Sequence, residues 1–124
     1  MQKVMVFTDE GDYYFEQYVE WWNQEPQWEN KFKFYLAYDI YEFKREVEKS
    51  DIILIDGGSI GQSDYWSGQQ IVYDCVLEFP SKYFIITGGL ASHYYKDLMQ
   101  DFKPQHNLLC YNIGEIRQYF WNLT

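Results

Sequence analysis

The sequence is poor in the residue sets that mark the commonest functional classes. Its basic residues number 10 against 19 acidic ones, a formal net charge of −9, and no stretch clusters the Lys and Arg. Phosphate-backbone binding needs such a cluster, so direct nucleic-acid binding is not expected. The usual zinc ligands are scarce: two His and two Cys, without metal-ligand spacing. Cys75 and Cys110 lie in apolar runs outside any CxxC pair, and they read as reduced, buried thiols. No apolar run reaches the ~18–20 residues of a membrane span, and MQKVMVF passes straight into polar sequence, unlike a signal peptide. A cytoplasmic chain with no membrane contact is the expectation. Phosphate-cradling G-x-G-x-x-G and P-loop spacings are missing. Repeats and Pro/Gly/Ser linkers are absent too, so residues 1–124 are expected to form a single α/β domain.

Apolar and aromatic residues are plentiful instead. The hydrophobic fraction is 47%, enough to exclude disorder, and aromatics reach 22% with 13 Tyr. A Tyr buries its ring while its hydroxyl stays wet, so this excess fits either a contact surface or a small ring-rich core. The acidic balance keeps a protein soluble; it would also suit a basic partner protein, including one that a nucleic-acid mimic would block.

Short apolar runs predict strands over Lys3–Thr8, Lys33–Tyr38, Asp51–Asp56, Lys82–Thr87 and Leu108–Asn112. Helical periodicity fills the gaps. Tyr14, Phe15, Tyr18, Val19 and Trp22 share a stripe that follows a cap at Asp12 and must end by Pro26. Asp39 caps a second helix with Glu42 three positions on, over a thin stripe of Ile40, Phe43 and Val47. Ile71, Val72, Cys75, Val76 and Phe79 mark a third, stopped by Pro80. Ser92 is the expected cap of a fourth, with Tyr94, Tyr95, Leu98, Met99 and Phe102 inward; a fifth is expected after Gly114, with Ile116, Tyr119, Phe120 and Leu123 inward. Strict βα alternation predicts a three-layer, five-stranded parallel sheet with helices on both faces. Among the doubly wound arrangements the flavodoxin-like order 2-1-3-4-5 is the one expected. The second strand, KFKFYLAY, alternates most and suits an edge.

In such a sheet, sites form beyond the carboxyl ends of the strands at the switch point. That brings Asp9, Glu10, Asp56 and Thr87 together. Carboxylates crowded at one place favour a hard cation such as Mg²⁺, with Asp9, Glu10 and Asp56 as the candidate metal ligands. Taken singly, Asp9, Asp56 and Asn112 also read as caps of helices or partners of loop amides, and His93 as a surface residue of a first helical turn rather than an acid or base.

These residues carry a resemblance that covers nearly the whole chain. FTDE resembles the acidic pair after strand 1 of a response-regulator receiver domain, SDIILID the strand that ends in its phosphorylated Asp, and FIITGG the strand that ends in its switch Thr. The resemblance implies a phosphoacceptor-like Asp56, a switch-like Thr87 and a protein-binding face on the fourth and fifth helices, with Tyr94, Tyr95, Tyr111 and Tyr119, and Trp121 beside them. A homodimer or another protein would sit there. The chain departs from the family at strand 5, which reads LLCYN and lacks the Lys that pairs with the phosphoryl group, and in the loop GGSIGQS, which lacks the usual Pro. A pseudo-receiver is therefore expected, a non-catalytic signalling and binding module. Two other readings stand beside it: a small acidic inhibitor or immunity-type protein that blocks a basic site, and a Mg²⁺-dependent enzyme acting on a phosphate compound.

Overall fold

The structure is a computed structural model that describes residues 1–8, 13–57, 66–88 and 91–124, with side chains described at all of these except 13, 14, 66–69, 94 and 101. Five strands run β1 (Gln2–Phe7), β2 (Phe32–Ala37), β3 (Ile52–Asp56), β4 (Tyr83–Thr87) and β5 (Leu108–Cys110). Between and after them come α1 (Tyr13–Asn23), α2 (Ile40–Glu46, prolonged by a 3₁₀ turn at Val47–Lys49), α3 (Trp66–Glu78), α4 (Ala91–Asp101) and α5 (Ile113–Asn122). All four strand pairings are parallel, and the order is β2-β1-β3-β4-β5, as the alternation predicts. The sheet is parallel because each connection carries a helix, and a helix can return the chain to the same edge only by a crossover.

Alternate residues of each strand point to opposite faces. Val4, Val6, Ile52, Leu54 and Ile85 face α1 and α5, against Phe15, Val19, Trp22, Ile116 and Phe120. Met5, Phe7, Ile53, Ile55, Phe84 and Ile86 face α2, α3 and α4, against Phe43, Val47, Val72, Cys75, Val76 and Leu98. With both faces covered, IILI and YFII can be apolar throughout, and every residue of Ile52–Ile55 and Phe84–Ile86 is buried.

The first layer is rich in rings. Trp28 lies within 5.6–6.2 Å of Phe32, Phe34, Phe120 and Trp121, and Phe120 meets Phe32 and Phe34 edge-on at 5.0 Å. Burying each large side chain contributes about 1.5–3 kcal/mol, and tilted ring pairs add to that. Much of the aromatic excess is thus core. The indole N–H of Trp28 is buried without a hydrogen-bond partner among the described residues.

The ends of α3, β4 and β5 meet at Asn107, which is buried. Its amide nitrogen reaches the carbonyls of Val76 at 3.0 Å, Phe79 at 3.1 Å and Lys82 at 3.1 Å, while its own carbonyl accepts from Phe84 N–H at 2.8 Å. Pro80 has no N–H to give the Val76 carbonyl, and the Phe79 carbonyl also accepts from Lys82 N–H at 3.1 Å, so one side chain ties the end of α3 to the turn before β4.

Two expected helix starts are displaced. Ser92 lies inside α4, which begins at Ala91, and Gly114 lies inside α5. Asn112 is the N-cap of α5, and its N–H donates to Glu115 Oε1 at 2.8 Å; that three-residue reciprocal pattern starts the helix before the glycine. Asp39 does cap α2, its Oδ1 accepting from Glu42 N–H at 2.8 Å. Leu123, expected inward, is 49% exposed because α5 ends at Asn122. Among the described residues no helix is long and apolar enough to cross a membrane.

Candidate functional site

Register places three polar residues in one row at the carboxyl end of the central strands. Phe7 pairs with Ile55, so Thr8 stands beside Asp56, and Asp56 pairs directly with Thr87. By strand parity all three lie on the α1/α5 face, in phase with Val6, Leu54 and Ile85. Thr8 N–H donates to the Ala37 carbonyl at 3.0 Å, which fixes its backbone, and its hydroxyl donates to Asp56 Oδ2 at 3.0 Å. Thr87 is fully buried, and its hydroxyl has no hydrogen-bond partner among the described residues.

Gly88 closes the row. Its φ of 97° lies in the left-handed region, and a Cβ there would stand 3.1 Å from Phe15 Cζ and 3.2 Å from Asp56 Oδ1. Only glycine lets the chain turn away from β4 with a ring and a carboxylate packed so close. On the far side Tyr111 N–H donates to the Ile86 carbonyl at 3.1 Å, which extends the β5 pairing until Tyr111 stands level with Thr87. On the near side Tyr38 follows β2 and donates its hydroxyl to Glu16 Oε1 at 3.1 Å.

Asp56 and Thr87 are therefore neighbours, as the strand ends predict. Thr8 is the member that sequence reasoning did not single out. Its signal was its place as the residue after β1, in phase with the buried Val4 and Val6. Asp9 and Glu10, the other candidate metal ligands, lie outside the described residues, as does the Asp12 cap. Among the described residues no three His, Cys, Asp or Glu gather as a metal site. Asp56 and the two threonine hydroxyls supply hard oxygen donors of the kind Mg²⁺ takes, but they include only one carboxylate. His93 is exposed on the first turn of α4, with Nε2 3.5 Å from Asp97 Oδ2. Cys75 and Cys110 are free, and burial raises both thiols, Cys75 to about 11. So little of the buried Cys75 thiol ionises near neutral pH that it is a poor nucleophile there.

The expected partner face divides around the β5 edge. Tyr95, half-buried, packs on the α2–α4 side and donates to the Leu108 carbonyl at 3.5 Å. Tyr111 and Tyr119 pack on the α1/α5 side, their ring centroids 5.5 Å apart, whereas the Trp121 ring lies 5.6 Å from that of Trp28. The Tyr94 side chain lies outside the description. Burial, with the neighbouring Tyr111 and Tyr83, pushes the Tyr119 hydroxyl up to about 12. A raised phenol binds its proton more tightly folded than unfolded, so its contribution is intact below pH ~10 and is lost as pH rises toward 12. Denaturation midpoints measured at about pH 9 and pH 11 should fall less in Tyr119→Phe than in the wild type.

The chain matches no protein-family model, no curated protein and no solved structure. Its function must be argued from its own residues.

Proposed function

We propose that this chain is a receiver-like module that works by binding a protein partner rather than by phosphoryl transfer. The observation that carries this reading is the row Thr8–Asp56–Thr87 at the carboxyl ends of three adjacent strands, with Tyr111 next in line where a receiver would bring a Lys. The Asp56 carboxylate would supply oxygen ligands to a cation, and the buried Thr87 hydroxyl has no acceptor among the described residues. Without a cation from β5, a phosphoryl group on Asp56 would lack its pairing charge, so the row is suited to a module whose state is set by contact instead. Bound Mg²⁺, with Asp56 as ligand and Asp9 and Glu10 as its expected companions, would supply positive charge to this edge.

Mass spectrometry after incubation with acetyl phosphate and Mg²⁺, joined to calorimetric titration with Mg²⁺ alone, tests the reading. The expected result is an unmodified mass and a heat of Mg²⁺ binding that vanishes in Asp56→Asn. A gain of one phosphoryl group, lost in Asp56→Asn, would make the chain an ordinary phosphorylated receiver. Absence of both heat and modification would leave Asp56 as a packing partner of Thr8 and end the receiver-like reading.

A further inference from the structure

The outer edge of β2 is where this sheet is most open to another chain. β2 has β1 as its sole neighbour and is six residues long, against three at the opposite edge. An unpaired edge of that length is a template for strand addition unless something covers it. Lys31 and Ala37 turn their carbonyls to β1, accepting from Gln2 N–H and Thr8 N–H, so the odd-numbered residues of β2 face inward. Phe32, Phe34 and Leu36 therefore turn their backbone groups outward.

Two of those three are already occupied. Phe32 N–H donates to the Trp28 carbonyl at 3.0 Å. Phe34 is held twice by one side chain: its N–H donates to Asn23 Oδ1 at 2.9 Å, and its carbonyl accepts from Asn23 Nδ2 at 2.8 Å. A primary amide that donates and accepts side by side reproduces what a residue of a neighbouring strand would offer. Asn23 is the last residue of α1, and Glu16, one face along the same helix, holds Tyr38 at the far end of the strand. α1 thus runs alongside the edge, and Leu36 is the one outward residue for which no such bond is formed among the described residues.

We infer that Asn23 stands in for a neighbouring strand and keeps the β2 edge closed to antiparallel pairing with a second copy of this chain. A second copy is the occupant the edge would fit. Exposed Lys31 and Lys33 mark its amino end, while Glu16, Asp39 and Glu42 mark its carboxyl end. Two antiparallel copies related by a two-fold axis would set each basic end toward the other's acidic end. The closure does not depend on whether the carboxyl-edge row is receiver-like.

Sedimentation velocity over a wide concentration range, with amide hydrogen exchange on the same samples, tests this. In the wild type the Phe34 amide should be protected and the Leu36 amide should exchange freely. In Asn23→Ala the sedimenting mass should rise with concentration beyond any rise in the wild type, and the Leu36 amide should become protected as it does. Asn23→Ser, too short to span both backbone groups, is the second variant and should behave alike if the alanine variant does not fold. A folded variant with no added association overturns the inference. So does association that leaves Leu36 exchanging, or a wild-type Phe34 amide that exchanges like an unstructured peptide.

Discussion

Asn107→Asp should lower the stability of this protein by about 3–5 kcal/mol near neutral pH, a large part of what a small domain has. The substitution changes shape hardly at all. It removes the donor that serves the carbonyls of Val76, Phe79 and Lys82, and it turns a carboxylate toward those three oxygens in a buried position. Desolvation and the facing carbonyl dipoles both favour the protonated acid, so the new carboxyl has a raised pKa when folded. The charge penalty of a raised acid is absent below its unfolded value of about 4 and grows as pH rises above that. The gap in melting temperature between wild type and Asn107→Asp should therefore narrow on acidification, while the gap for Asn107→Ala stays nearly constant. A variant whose deficit widens toward acid would contradict the hydrogen-bond directions described above.

Gly88→Ala should be the second most damaging change, at about 2–4 kcal/mol, as a sum of backbone strain at positive φ and overpacking. The added methyl group would press on the Phe15 ring and on Asp56 Oδ1 together. Chemical denaturation gives the size of the loss. Gly114→Ala is the internal control: nothing lies within 4 Å of its added Cβ, and it sits inside α5, so alanine there should stabilise by up to about 1 kcal/mol. Equal effects at the two glycines would mean that the packing around Asp56 is looser than the distances imply.

The strands were legible because a parallel sheet covered on both sides demands unbroken apolar runs, and IILI and YFII supply them. Alternation with helices made them parallel, while their order, chosen among the doubly wound arrangements, is the one the structure has. The adjacency of Asp56 and Thr87 was legible for the same reason, since both end neighbouring strands. What the chain hid were side chains whose partners are distant in sequence. Asn23 gives no sign that it will bond Phe34, because that depends on how α1 lies along β2. Asn107 reads as a loop residue until α3 and β4 end beside it. Ser92 lies one residue inside α4, and α5 starts before Gly114 because Asn112, legible as a possible cap, has Glu115 three positions on. The aromatic excess was ambiguous in composition and became clear only once Phe32, Phe34, Trp28 and Phe120 were found in one cluster.

That cluster makes the molecule optically lopsided. Of five Trp, Trp21 and Trp22 belong to α1, Trp121 to α5 and Trp28 to the turn between α1 and β2; Trp66 alone begins α3. Intrinsic fluorescence thus reports chiefly on one layer, whereas far-ultraviolet dichroism reports on the backbone of all three. Melting curves from the two signals superimpose if the sheet transmits the loss of one helical layer to the other, and they separate if the ring-filled layer outlasts its counterpart.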